Sequence, residues 1–71
     1  MDNREYLRLV GQNISNLRKK KGMKVTELAH ACDMEKTNLI PIEKGRINVT
    51  ALTLLKIADA LQVDVKEFFY F

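Results

Sequence analysis

VTELAHACDMEKTNLIPIEKG, residues 25–45, places Val25, Leu28, Ala29 and Cys32 at the i, i+3, i+4, i+7 spacing of one helical face. About two turns fit before Asp33, a residue that tolerates left-handed backbone better than most non-glycine residues. Leu39, Ile42 and Glu43 then mark a second short helix, closed by Gly45. Ala29 and Cys32 are small and inward-facing, which lets two short helices cross closely. Cys32 reads as a small buried hydrophobe rather than a nucleophile. His30 points away from the stripe, as a surface residue does, and Met34 plugs the core after the turn.

Working towards the N-terminus, Asp2 followed by Glu5 reads as a capping box ahead of Leu7, Val10, Ile14 and Leu17, a single stripe. Arg18, Lys19, Lys20 and Lys21 crowd the last turn, where cations suit the helix dipole, and Gly22 stands at the stop, with Met23 as a second core plug. The first helix is predicted over about residues 3–21. Beyond Gly45, Thr50 caps a helix with Ala51, Leu54, Ile57, Ala58 and Leu61 on one face. Asp64 and Glu67 form another capping box, opening a last short helix through Phe68 and Phe69. Alternating β-branched runs, hairpin dipeptides, repeats and linkers are absent. The expectation is one all-α domain of five helices over residues 1–71.

A chain of 71 residues, 46% apolar, is near the lower limit for a self-sufficient core. The net charge of +3 permits a polyanionic partner without demanding one. Its distribution says more: residues 1–46 hold ten basic and six acidic side chains, whereas beyond them Lys56 and Lys66 face Asp59, Asp64 and Glu67. One cysteine excludes an internal disulfide, and one histidine leaves no metal-ligand set. There is no membrane-length apolar run and no signal-peptide core, so a cytoplasmic location is expected. No paired carboxylates, nucleophile–base arrangement or phosphate-cradling glycine loop suggests catalysis, and no cofactor or small-molecule ligand is expected.

The ordered set Gly11, Ile14, Leu17-Arg18, Gly22, Thr26-Glu27-Leu28-Ala29, Asp33-Met34, Leu39, Ile42-Glu43-Lys44-Gly45, Asn48, Leu54, Ile57-Ala58, Leu61 and Val63 resembles the Cro/C1-type (XRE) helix-turn-helix family. The resemblance runs from about Gly11 to Phe69. It implies a five-helix, lambda-repressor-like DNA-binding fold with the helix-turn-helix at about residues 25–44. The second helix of that pair would lie in the major groove of double-stranded DNA while the first crosses the backbone.

The resemblance also implies roles. Base-reading side chains would stand at the start of the recognition helix, at Glu35, Lys36, Thr37 and Asn38, with a further position one turn on at Pro41. Lys36 suits guanine O6/N7, Asn38 suits adenine, and Thr37 offers a methyl or a hydroxyl. Glu35 is read first as a helix-start residue that could also accept from cytosine N4. Lys44, Arg46 and Asn48 look like phosphate contacts, and so does Lys24, beside the amides that open its helix. Lys19 to Lys21 are either a further contact or a solvated helix end. In similar repressors the positions of Arg18 and Glu43 form a partly buried ion pair; the alternative is two solvated charges.

Two positions depart from the family pattern. A glutamine often found near the start of the first motif helix is here Val25. Pro41 lies deep in the recognition helix, where it removes the hydrogen bond to the Thr37 carbonyl. Either a kinked helix spans about 36–44, favoured because Leu39 and Ile42 must reach the core, or the helix begins late with Thr37 as N-cap. Proteins of this kind bind pseudo-palindromes as dimers. The candidate homodimer surface is Leu52, Leu55, Phe69, Tyr70 and Phe71, unless the aromatic tail folds over its own core. The functional reading is a sequence-specific transcriptional regulator. Its alternative is a protein-interaction or antitoxin-like module that kept the fold with weak or no DNA readout.

Overall fold

In a computed structural model covering all residues from Met1 to Phe71, the chain forms α1 (Asn3–Lys20), α2 (Val25–Ala31), α3 (Lys36–Glu43), α4 (Ala51–Leu61) and a terminal 3₁₀ helix (Val65–Phe69), with no strand. Helix α1 starts where the Glu5 N–H donates to Asp2 Oδ1 at 2.7 Å, and α4 where the Thr53 N–H donates to Thr50 Oγ1 at 3.1 Å. The fifth helix is the correction. Asp64 Oδ1 accepts from the Lys66 N–H at 3.0 Å, and the Glu67 N–H reaches the Asp64 carbonyl at 3.0 Å. That i to i+3 closure makes a tight 3₁₀ turn, so the architecture is four α-helices and a 3₁₀ helix rather than five α-helices.

All four α-helices end alike, in a residue of positive φ followed by a bond back into the last turn. Gly22, Asp33, Gly45 and Gln62 have φ of 71°, 55°, 69° and 58°. The next N–H in each case returns: Met23 to the Arg18 carbonyl (3.1 Å), Met34 to Ala29 (2.9 Å), Arg46 to Pro41 (2.9 Å) and Val63 to Ala58 (3.0 Å). Met23, Met34 and Val63 pack against the core just past these stops.

Val10, Ile14, Leu28, Ala29, Cys32, Leu39, Ile42, Leu54, Ile57, Ala58, Leu61 and Phe68 form one buried cluster. Within it α1 packs on α3 and on the 3₁₀ helix, while α2 packs on α3 and α4. Phe68 is fully buried, which is worth ~1.5–3 kcal/mol relative to leaving the ring in water. Asn13 holds the same segment from α1: its side-chain amide donates to the Phe68 carbonyl at 3.0 Å and to the Tyr70 carbonyl at 3.2 Å.

Two glycines set the distance between α1 and the end of α3. A Cβ on Gly11 would strike the carbonyl oxygens of Ile42 and Glu43, and one on Gly45 would strike the backbone of Arg8. The backbones therefore touch directly, at the C-terminal end of the helix that carries the predicted reading residues.

Candidate nucleic-acid interface

Helix α3 begins at Lys36 with Glu35 as N-cap and passes through Pro41 to Glu43. The late start, with Thr37 as N-cap, does not occur. Leu39 and Ile42 are 0% and 5% exposed and hold α3 to the core, so Lys36, Thr37 and Asn38 stand in solvent on its first turn. The Thr37 hydroxyl turns back to Glu35 Oε2, 3.4 Å away, a long contact.

Lys24 is the exposed N-cap of α2, and its N–H donates to Glu27 Oε1 at 2.8 Å. A lysine side chain has no acceptor to return, so the cap is one-sided and the ammonium is left to solvent. Lys44, Arg46 and Asn48 are exposed in and after the stop of α3. The structure does not gather this set in one place. Lys44 lines a polar groove between α1 and the α2–α3 pair, together with Arg8, Lys19 and Ile40. Asn48 instead lines an apolar depression with Tyr6, Val49 and Phe69. Arg8, which no periodicity or motif marked, is thus a cation beside Lys44.

Glu43, the sole carboxylate of α3, is taken out of this surface by Arg18. The guanidinium donates from Nε to Glu43 Oε2 at 2.7 Å and from Nη2 to Oε1 at 3.0 Å, while Nη1 donates to the Met23 carbonyl at 2.8 Å. The two side chains are 12% and 9% exposed. The hydrogen bond to Glu43 raises the Arg18 pKa and burial opposes it, with attraction to the Glu43 charge adding to the rise. One bidentate pair therefore ties the end of α1, the following turn and the end of α3 together. It is the one salt bridge in the molecule, so no other cation is held in an ion pair.

On another face, the aromatic tail lies along α1. Tyr6 packs against Phe69 (centroids 6.2 Å, tilted) and Phe71 (5.4 Å, edge-on), beside the Asn13 clamp. Even so Phe69, Tyr70 and Phe71 remain 37%, 61% and 51% exposed, and Leu52 and Leu55 of α4 remain 77% and 47% exposed. A depression lined by Tyr6, Leu7, Val10, Ala51, Leu54 and Phe69 continues this apolar surface. Tyr6 and Asn13 were missed in the sequence because neither belongs to a stripe, a cap or a motif.

No group of His, Cys, Asp and Glu is placed to hold a metal ion, and no helix is long and apolar enough to cross a membrane. Cys32 is buried, and desolvation raises its thiol pKa against a small opposing effect of Lys56.

Known proteins agree with this geometry along most of the chain. An uncharacterised HTH-type transcriptional regulator of Sinorhizobium fredii is 38% identical over 56 residues, 79% of this chain and 73% of the relative. The crystal structure of the restriction-modification controller protein C.AhdI from Aeromonas hydrophila superposes with a TM-score of 0.92 at 30% identity, over 97% of this chain and 100% of that one. The clp gene regulator ClgR of Corynebacterium glutamicum gives 0.86 at 26% identity, over 90% of this chain and 83% of its own. Residues 13–71 match the Cro/C1-type HTH DNA-binding domain, and with α2, α3 and the part-buried Arg18–Glu43 tie in place the chain belongs to that family.

Proposed function

We propose that this protein is a sequence-specific transcriptional regulator that folds as a single domain over residues 1–71 and binds operator DNA as a homodimer. The observation that carries the reading is the exposed first turn of α3, Lys36-Thr37-Asn38, on a helix whose own carboxylate, Glu43, is paired with Arg18. Lys36, Thr37 and Asn38 contact base edges in the major groove; Lys24, Lys44, Arg46 and Asn48 contact phosphates. The roles of the similar proteins, a controller protein and gene regulators, support transcriptional control over a catalytic role.

Leu52 and Leu55, with Phe69, Tyr70 and Phe71, form the surface between two copies, and two-fold symmetry matches two half-sites on a pseudo-palindrome. Because Tyr6 and Asn13 already hold the tail, α4 supplies the unpartnered part of that surface. Sedimentation separates the contributions: Leu52→Glu should give a monomer, and truncation after Phe68 should weaken the dimer through loss of three aromatic rings. A dimer unchanged by either would refute the surface.

Selection of bound duplexes from a random pool tests the DNA reading. Lys36→Ala should relax one base position at a cost of ~1–3 kcal/mol, whereas uniform weakening would make Lys36 a phosphate contact. Three cations per protomer on phosphate predict a slope of log K against log salt of about −5 for the dimer. A second reading, an interaction module without DNA readout, has one observation in its favour, the apolar Val25 and Ile40 that share the groove against α1. A flat salt response with no enriched sequence would overturn the DNA reading in its favour.

A further inference from the structure

Val25 and Pro41 both put hydrocarbon where the family pattern has a contact residue, and Ile40, the neighbour of Pro41, shares a groove with Val25. At about 100° per residue, Thr37 and Pro41 stand one turn apart on the side of α3 opposite the buried Leu39 and Ile42. Ile40 flanks them and shares a depression with Val25 and Lys44. Thr37 is exposed, whereas Ile40 and Pro41 are half-buried. The Thr37 hydroxyl is directed to Glu35, so the γ-methyl is its remaining substituent. The outward centre of the helix is therefore apolar, bounded by the free cations Lys36 and Lys44.

Such a surface offers Pro41 no hydrogen bond to make with a base. One feature of the major-groove edge is nonetheless recognised by hydrocarbon alone: the C5-methyl group of a pyrimidine. We propose that Pro41, with Thr37 and Ile40, reads a pyrimidine C5-methyl in each half-site and is a specificity determinant beside Lys36 and Asn38. The inference rests on the DNA reading proposed above. Thymine and 5-methylcytosine both carry this group, and their own major-groove edges differ at the C4 substituent, which Pro41 does not sense.

The test uses the full chain and the operator recovered from a random pool, with each thymine replaced in turn by deoxyuridine. At one position per half-site, loss of the methyl should weaken binding about fourfold, the factor that corresponds to ~0.8 kcal/mol for one buried methyl group. Losing it in both half-sites should weaken binding about fifteenfold. At that position 5-methylcytosine should bind more tightly than cytosine; equality with thymine assigns the methyl alone, and a residual deficit assigns a further contact to the C4 oxygen or to the paired purine, both in support. Pro41→Ser should shrink the deoxyuridine penalty to less than about twofold, with the Lys36-dependent position unchanged. An enriched operator on which deoxyuridine equals thymine everywhere would overturn the inference and leave the DNA reading standing. So would a penalty that persists in Pro41→Ser. No enriched operator would overturn the DNA reading and this inference with it.

Discussion

Replacing Pro41 by alanine should make the protein more stable while making it a poorer reader of its site. Pro41 is the sixth residue of α3, inside the helix, where it has no N–H to give to the Thr37 carbonyl. A proline there costs ~3 kcal/mol relative to alanine, through the missing bond and the clash of the ring with the preceding turn. Two effects oppose the gain. Alanine frees the unfolded chain, worth ~0.4–1 kcal/mol, and it gives up half-buried ring methylenes worth about 0.8 kcal/mol. About 1.5 kcal/mol should remain in favour of alanine. For a domain of this size each kcal/mol moves Tm by ~4–8 °C, so a rise of roughly 6–12 °C is expected.

Thermal unfolding followed by far-ultraviolet circular dichroism measures the shift, and a urea titration checks that the slope with denaturant is unchanged. The same variant assayed on operator DNA should lose discrimination at the methyl-bearing position. An unchanged or lowered Tm would refute the reasoning, because Thr37 to Pro41 would then not be helical in solution. Stability and readout moving in opposite directions is what a helix-breaking residue retained for its surface chemistry predicts.

Arg18→Met leaves the Glu43 carboxylate, 9% exposed, without its partner, and should lower stability by about 3 kcal/mol in urea unfolding; adding Glu43→Leu should recover a large part of that loss. Tyr6→Ala removes both contacts to Phe69 and Phe71, at ~0.5–1.5 kcal/mol each, and amide exchange should show residues 69–71 opening well before the helices. Cys32 makes stability depend on alkaline pH. Burial raises its folded pKa, so the folded state keeps the proton that the unfolded chain begins to lose above about pH 8.5. Its contribution is full below that pH and falls as pH rises through the folded pKa; Cys32→Ala should remove this slope.

The four α-helices were legible because each carries an apolar stripe and at least one end signal. Val25, Leu28, Ala29 and Cys32 form the stripe of α2, and Asp33 its stop. Gln62 carried no such signal: glutamine has no preference for left-handed backbone, and its φ of 58° is imposed by Val63 turning into the core. Asp64 and Glu67 are written like any capping box, yet five residues close as a 3₁₀ turn. Gly11 was visible only as one member of a family pattern. Its reason, the carbonyls of Ile42 and Glu43 against α1, is a tertiary contact that no local pattern encodes. The same holds for Asn13 and Tyr6, whose partners lie at the far end of the chain. For the reading turn, the exposure of Lys36 to Asn38 followed from the inward pull of Leu39. The shared depression of Val25 and Ile40 did not, because it depends on the crossing of three helices.

The fold holds its reading helix by one end. At the C-terminus of α3, Gly11 admits the Ile42 and Glu43 carbonyls, Gly45 turns the chain against Arg8, and Arg18 grips Glu43 and the Met23 carbonyl together. At the N-terminus the cap residue Glu35 makes no side-chain bond to the helix backbone, and Leu39 alone of the first four residues is buried. From Glu43 back to Lys36 is a lever of about 10 Å at 1.5 Å per residue. A tilt of a few degrees at the anchor therefore carries Lys36 by roughly 1 Å, beyond the tolerance of a base-edge hydrogen bond. Under the proposed DNA reading Arg18, which need not touch DNA, thus governs specificity as well as stability. Arg18→Met should accordingly weaken operator discrimination even at temperatures where the variant remains folded, and the Glu43→Leu partner that restores stability should leave the discrimination impaired, since an apolar pair lacks the bidentate geometry that sets the angle of the helix.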